Sequence, residues 1–193
     1  VKSFVSRAGL KLDHALDVFE LDVTAYVCAD LGCNAGGFTD CLLQRGAAKV
    51  YAVDTGYGML DYKLRRDPRV VTMERTNAMH VNLPEPIDLV VIDVAWTKQK
   101  HILPAAKRLL KEGGRIVTLI KPHYEADPKL LVQGVLPEDQ LESVVAGVEL
   151  DIAAVGLSRV ALTRSPIKGG NGNVEMLALL KEQSATNLTN GHE

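Results

Sequence analysis

Apolar positions along the chain switch between two periods. Over residues 7–20, Leu12, Ala15, Leu16 and Phe19 recur at the i, i+3, i+4, i+7 spacing of an amphipathic helix. Val27-Cys28-Ala29-Asp30 is a short apolar run ending in an acid, which predicts a strand. Gly36 to Arg45 predicts a helix with Gly46 as its C′ residue. Lys49-Val50-Tyr51-Ala52-Val53-Asp54, Val70-Val71-Thr72-Met73-Glu74 and Ile87-Asp88-Leu89-Val90-Val91-Ile92-Asp93 predict three further strands, each again ending in an acid. The last is nearly all apolar, as a strand covered on both faces must be. Residues 99–111 follow a helical pattern that Gly113-Gly114 stops, and Arg115 to Lys121 predicts a fifth strand. A helix near 137–147 follows, then strands near 152–162 and 173–180, with Ser165 to Asn173 as a Gly-rich hairpin connection.

Alternation of this kind implies an α/β fold with a parallel, doubly wound sheet closed by an antiparallel hairpin. Ligands of such sheets lie beyond the carboxyl ends of the strands. Asp30, Asp54, Glu74, Asp93 and Lys121 fall at those predicted ends. No repeat or internal linker is present. One domain is expected over 1–182, with a polar, frayed tail over 183–193. The Asn187-Leu188-Thr189 sequon in that tail is a chance match in a cytosolic chain.

Composition narrows the class. A chain of 193 residues can bury one domain-sized core, and 47% apolar with 24% charged residues is ordinary for a soluble globular protein. No apolar run approaches the ~20 residues of a membrane span, and Val1-Lys2-Ser3-Phe4 has no apolar signal region. Cys28, Cys33 and Cys41 lack metal spacing and are read as reduced thiols of a cytoplasmic protein, with no metal site. A net charge of −2 excludes a basic nucleic-acid coat, so any RNA contact must come from a local cluster. Tyr62 to Arg69 carries four bases in eight residues and is one candidate; a solvated face is the alternative.

The glycines of Asp30-Leu31-Gly32-Cys33-Asn34-Ala35-Gly36-Gly37-Phe38-Thr39 fall as GxxxGG between a strand and a helix. The segment is neither GxGxxG nor a P-loop. An acid entering this turn suits a ligand with a cationic end better than a pyrophosphate. Asp54, 22 residues past Gly32, stands where an acid that holds ribose hydroxyls is usual. A purely structural strand-to-helix turn is the other reading. Asp93 and Lys121 end neighbouring strands, and a lysine head there needs a carboxylate nearby. An ordinary strand-end ion pair would satisfy that need equally.

Ser6-Arg7-Ala8-Gly9-Leu10-Lys11-Leu12-Asp13 resembles the opening of the FtsJ-type (RrmJ-type) RNA ribose methyltransferases. The segment 30–41, Gly46 to Asp54, Glu74-Arg75-Thr76-Asn77, Leu119-Ile120-Lys121-Pro122 and Ser165 to Glu175 resemble the TlyA (haemolysin A-like) branch. The resemblance covers roughly residues 4–181. It implies a Rossmann-like fold with a seven-stranded, mostly parallel sheet and helices on both faces. It also implies S-adenosylmethionine as cofactor and a ribose 2′-hydroxyl of RNA, in a ribosomal RNA or subunit, as substrate. The family's Lys-Asp-Lys-Glu tetrad would be Lys11, Asp93, Lys121 and Glu175. The cofactor would lie on Asp30, Gly32, Asn34, Gly36, Gly37, Phe38, Asp54, Asn77 and Asp93.

Methyl transfer from a sulfonium to a hydroxyl asks for alignment and for loss of the hydroxyl proton. On this resemblance Lys121 stands at the hydroxyl, Asp93 orients it, and Lys11 and Glu175 hold the geometry. Trp96 is a candidate for base stacking, and His123 and Tyr124 could line the site or serve packing. The branch usually carries an N-terminal S4 RNA-binding domain ahead of the point where this chain starts. Its usual Asp-Val-Ser-Phe is Asp93-Val94-Ala95-Trp96 here, and its usual Gln-Phe after Lys-Pro is His123-Tyr124. These departures bear on which RNA is used. A nicotinamide-dependent oxidoreductase and a non-catalytic RNA-binding or haemolysin-like protein stay open as alternatives.

Overall fold

The computed structural model describes residues 3–183. Residues 184–193, most of the predicted polar tail including Asn187-Leu188-Thr189, lie outside the described residues.

In chain order the elements are α1 (Ala8–Val18), β1 (Val27–Leu31), α2 (Gly37–Gln44), β2 (Lys49–Val53), a one-turn α3 (Tyr62–Arg65) and β3 (Val70–Met73). Then come β4 (Ile87–Ile92), α4 (Gln99–Leu109), β5 (Leu110–Ile120), a one-turn α5 (Pro122–Glu125), α6 (Leu141–Ala154), β6 (Leu157–Arg164) and β7 (Met176–Glu182). The seven strands form one sheet in the order β3-β2-β1-β4-β5-β7-β6. β1 pairs in parallel with β2 and β4, β2 with β3, and β4 with β5. Only β7 runs against its neighbours β5 and β6.

Both faces of the sheet are covered, which explains the near-continuous apolar strands. In β4, Leu89 and Val91 point to the layer of α1 and α2, where Leu12, Leu16, Phe38 and Leu42 are buried. The alternate residues Val90 and Ile92 meet Ile102, Leu103, Val148 and Ile152 of α4 and α6 on the other face. Each such fully buried Leu or Ile contributes about 1.5–3 kcal/mol relative to exposure. α1 presents the stripe read in the sequence, with Leu12, Ala15 and Leu16 inside. Arg45 ties α1 to α2 through Asp13 at 2.5 Å and Asp17 at 2.7 Å, which fixes where Lys11 stands. α2 ends as expected: Gly46 has φ +89°, and its N–H reaches the Leu43 carbonyl.

Several boundaries differ from the sequence reading; the fifth strand, expected from Arg115, begins at Leu110, and the last, expected near 173–180, is Met176–Glu182. The helix expected near 137–147 runs Leu141–Ala154, and the strand expected near 152–162 begins only at Leu157. Leu141, Val148 and Ile152 are buried at helical spacing, so the helical period continues through residues that also look strand-like. Gly156 at φ +74° makes the turn that ends the helix. The helix expected to 111 stops at Leu109, and Leu110 already pairs with Ile87; the register then shifts before Arg115 pairs with Leu89.

The strand order reverses between β1 and β4: the chain moves outward to β2 and β3 from one and to β5 from the other. Such a switch point opens a crevice at the carboxyl ends of these strands.

Candidate active site

The crevice is a cleft of about 660 Å³, within the range that holds a nucleoside-sized ligand. Ten of the twelve sequence-predicted site residues line it: Lys11, Asp30, Gly32, Asn34, Phe38, Asp54, Asn77, Asp93, Lys121 and Glu175. Gly36 and Gly37 do not. They stand one layer behind, against Leu60 and Leu64 and against Ser6 and Gly9 respectively, and let those segments pack on the loop.

The loop after β1 is shaped by backbone approach. Gly32 has φ +88°, and a Cβ there would lie 2.6 Å from the Asp93 carbonyl oxygen, so only glycine lets the loop pass over the end of β4. Asp54, just past β2, accepts from the Asn34 N–H at 2.8 Å and the Gly56 N–H at 2.7 Å. It thereby fixes both loops that border the cleft. Asn77 caps a short turn by accepting from the Met79 N–H at 2.9 Å. Ala78 and Met79 add apolar wall next to it.

Asp30 is not at the strand end, as the sequence suggested, but inside β1 and fully buried. Its Oδ2 accepts from the Thr39 N–H at 2.9 Å and hydroxyl at 2.7 Å. Its Oδ1 has no hydrogen-bond partner among the described residues. Burial, opposed by the Thr39 hydrogen bonds and reinforced by Asp93, pushes its carboxyl up to about 7. Asp30 thus borders the cleft with a buried carboxyl, one oxygen of which is held by Thr39.

Two ion pairs complete the site. Lys121, just past β5, places Nζ 2.6 Å from Asp93 Oδ1 and donates to the Val94 carbonyl at 2.9 Å. Lys11 places Nζ 2.5 Å from Glu175 Oε2, with side chains 12% and 3% exposed. Glu175 directly precedes β7 and is steadied by the loop behind it. There the buried Asn173 donates to the Gly134 and Gly170 carbonyls and accepts from the Leu136 N–H. The sequence reading missed Asn173 and Thr39. Their signal was weak, a polar residue in a Gly-rich loop and another at a helix start.

Trp96 lines the cleft with 81% of its surface exposed, and His123 and Tyr124 line it beside Lys121. The basic segment 62–69 does not present four unengaged cations. Lys63 pairs with Asp40, Arg65 with Glu74 and Arg69 with Asp67, while Arg66 lies over the Tyr62 ring. The three cysteines are buried and unbridged, and burial raises the Cys28 and Cys33 thiols far above their ordinary range. Among the described residues no group of His, Cys, Asp and Glu could hold a metal ion, and no helix is long and apolar enough to cross a membrane.

The cleft's residues fit S-adenosylmethionine by charge and shape. The carboxyl of Asp30 has the charge to suit a cationic amino-acid end, Asp54 sits by the adjoining strand end, and the Ala78–Met79 wall is apolar.

Residues 4–182 match the FtsJ-like methyltransferase family. Hemolysin A of Brachyspira hyodysenteriae is 41% identical over 181 residues, which is 91% of this chain and 75% of that protein. The 16S/23S rRNA (cytidine-2'-O)-methyltransferase TlyA of Mycobacterium tuberculosis is 40% identical over 189 residues, 95% of this chain and 70% of its own length. A solved structure from Streptococcus thermophilus that carries the hemolysin name superposes with a TM-score of 0.91 at 40% identity, covering 95% of this chain and 69% of that one.

Proposed function

This chain belongs to the FtsJ-like methyltransferase family, and on that premise we propose that it transfers the methyl group of S-adenosylmethionine to a ribose 2′-hydroxyl of ribosomal RNA. The observation that carries the reading is the convergence of both ion pairs and the glycine loop on one cleft. The relatives named for rRNA 2′-O-methylation match this chain over nearly its whole length. Neither the oxidoreductase reading nor a non-catalytic binding role has a comparable observation behind it. A ribosomal substrate would place the reaction in the cytoplasm, on RNA or on an assembled subunit.

Bound S-adenosylmethionine supplies an activated methyl group. Asp30, Asn34, Asp54 and Asn77 would hold it, with Gly32 and Phe38 shaping its bed. The protein's remaining task is at the hydroxyl. An ammonium has three donors. Lys121 uses two, on Asp93 and Val94, which leaves one for the ribose oxygen. For the attack, Nζ first yields the proton it shares with Asp93 to that carboxylate and turns the lone pair so freed to the hydroxyl, whose proton it takes as the oxygen bonds to the methyl carbon, so the pair takes up one proton in all. Positive charge from Lys121 and Lys11 stabilises the developing charge on the oxygen. Glu175 holds Lys11 in place, and Trp96 offers an aromatic plane to a base.

The test uses radiolabelled S-adenosylmethionine and unmodified ribosomal subunits or rRNA transcripts. Wild type is expected to label the RNA on a ribose. Lys121→Ala should bind the cofactor normally by calorimetry and lose turnover by at least about a hundredfold. Wild-type turnover by that variant would remove Lys121 from the chemistry.

A further inference from the structure

His123 lines the cleft, yet the mechanism above gives it no role. It is the second residue of α5, 9% exposed, and separated from Lys121 only by Pro122, whose fixed φ stiffens the link. Its Nδ1 is sealed from solvent and has no hydrogen-bond partner among the described residues. Among the described residues Nε2 makes no hydrogen bond either, and unlike Nδ1 it is not sealed; since His123 lines the cleft, Nε2 is the ring nitrogen open to a ligand. Burial, and after it the neighbouring Lys121 charge, lower the ring's pKa from its ordinary value. A neutral ring carries one N–H. Sealing that N–H without an acceptor is the rarer and costlier arrangement, whereas an unused lone pair is tolerated more often. The proton therefore belongs on Nε2. The Tyr124 ring, 4.1 Å away at 47°, limits rotation of the imidazole.

A single, oriented donor thus stands beside the lysine that meets the ribose hydroxyl, in a cleft that also exposes Trp96 as a stacking plane. We propose that His123 is a specificity-determining residue whose Nε2–H donates to a carbonyl or ring-nitrogen acceptor on the base of the nucleotide being methylated. The assignment rests on the RNA methyltransferase reading. A base that turned an amino group or ring N–H to this point would set donor against donor, leaving both unpaired in a desolvated site.

The experiment compares wild type, His123→Phe and His123→Gln on unmodified rRNA transcripts with tritiated S-adenosylmethionine. The phenylalanine keeps a ring and removes the donor; the glutamine amide restores one. Once the methylated nucleotide is mapped, transcripts carrying each of the other three bases there are assayed as well. His123→Phe should lower kcat/KM for RNA roughly tenfold, the worth of about one hydrogen bond, and flatten the preference among the four bases. His123→Gln should recover most of both. Cofactor affinity and thermal midpoint should be unchanged in both variants. A His123→Phe enzyme within twofold of wild type would overturn the assignment, as would a loss with unaltered base preference or one that glutamine fails to restore. A wild type that binds cofactor but labels no rRNA would instead remove the functional reading itself, and the His123 assignment with it.

Discussion

Separating the stability of the Lys11–Glu175 pair from its role in the reaction is the most demanding test of the site. The two side chains are 12% and 3% exposed and meet at 2.5 Å, so solvent screening is slight. Removing one partner of such a pair leaves a buried charge uncompensated and costs about 3–5 kcal/mol. That is a fifth or more of the ~5–15 kcal/mol by which a domain is usually stable. With a urea slope near the upper end of ~1–3 kcal/mol/M for a chain of this size, Lys11→Met should shift the urea midpoint down by roughly 1–2 M. Glu175→Met should do the same. The double variant removes both charges and fills the space with apolar atoms, and should return to within about 1 kcal/mol of wild type. The close approach of Gly169 to the Glu175 carboxylate shows that the neighbouring wall has no side chain to clash. Methyl transfer, assayed on unmodified rRNA, should be lost in all three proteins. Single variants within ~1 kcal/mol of wild type would refute the burial argument. A double variant as unstable as the sum of the singles would show that shape, and not charge, holds this corner. Recovery of activity along with stability would remove the pair from the reaction.

Asp30 ties cofactor binding to pH. Its carboxyl is raised from 3.8 to about 7, so its ionisation opposes folding: the contribution is most favourable below about pH 4 and is lost as pH rises through about 7. A cation bound at Oδ1 favours the ionised form, so S-adenosylmethionine should bind more tightly from pH 6 to 8, by at most about tenfold per pH unit, with proton release in calorimetry. Asp30→Asn should flatten that dependence; an unchanged slope would show that another group responds. Gly32→Ala should abolish cofactor binding and lower the thermal midpoint, because the new Cβ would press on the Asp93 carbonyl oxygen at a φ that L-residues rarely adopt; normal calorimetric binding would contradict it. Trp96→Ala should leave the midpoint unchanged, since the side chain is 81% exposed, and weaken RNA binding by about 1–3 kcal/mol if a base stacks there. Equal RNA affinity would assign the ring another purpose.

The periods of the apolar residues determined the layered α/β class and the existence of all seven strands. Strands buried on both faces must be apolar throughout, and this leaves a mark no other element makes. Asp54, Asp93 and Lys121 at the ends of those runs were legible as site candidates for the same reason, because a charge that closes a buried strand goes to the strand's end; Asp30, read the same way, is instead buried inside β1. Helix and strand merged between residues 147 and 157, where Val148 and Ile152 suit either period; packing of α6 against α4 and the left-handed turn at Gly156 decided it. The sequence could place Lys11 on a helix and Glu175 beside the last strand, 164 residues apart. That they meet follows from α1 lying across the sheet and β7 inserting antiparallel between β5 and β6. Likewise a row of four bases in 62–69 read as cationic surface, and only the folded chain brought Asp40, Glu74 and Asp67 within reach of three of them. Burial, hydrogen-bond completion and charge pairing are properties of neighbours in space. A linear pattern records which residues must be covered, but the atoms that cover them, and the unused oxygen of Asp30 and sealed nitrogen of His123, exist only once the chain has closed around the cleft.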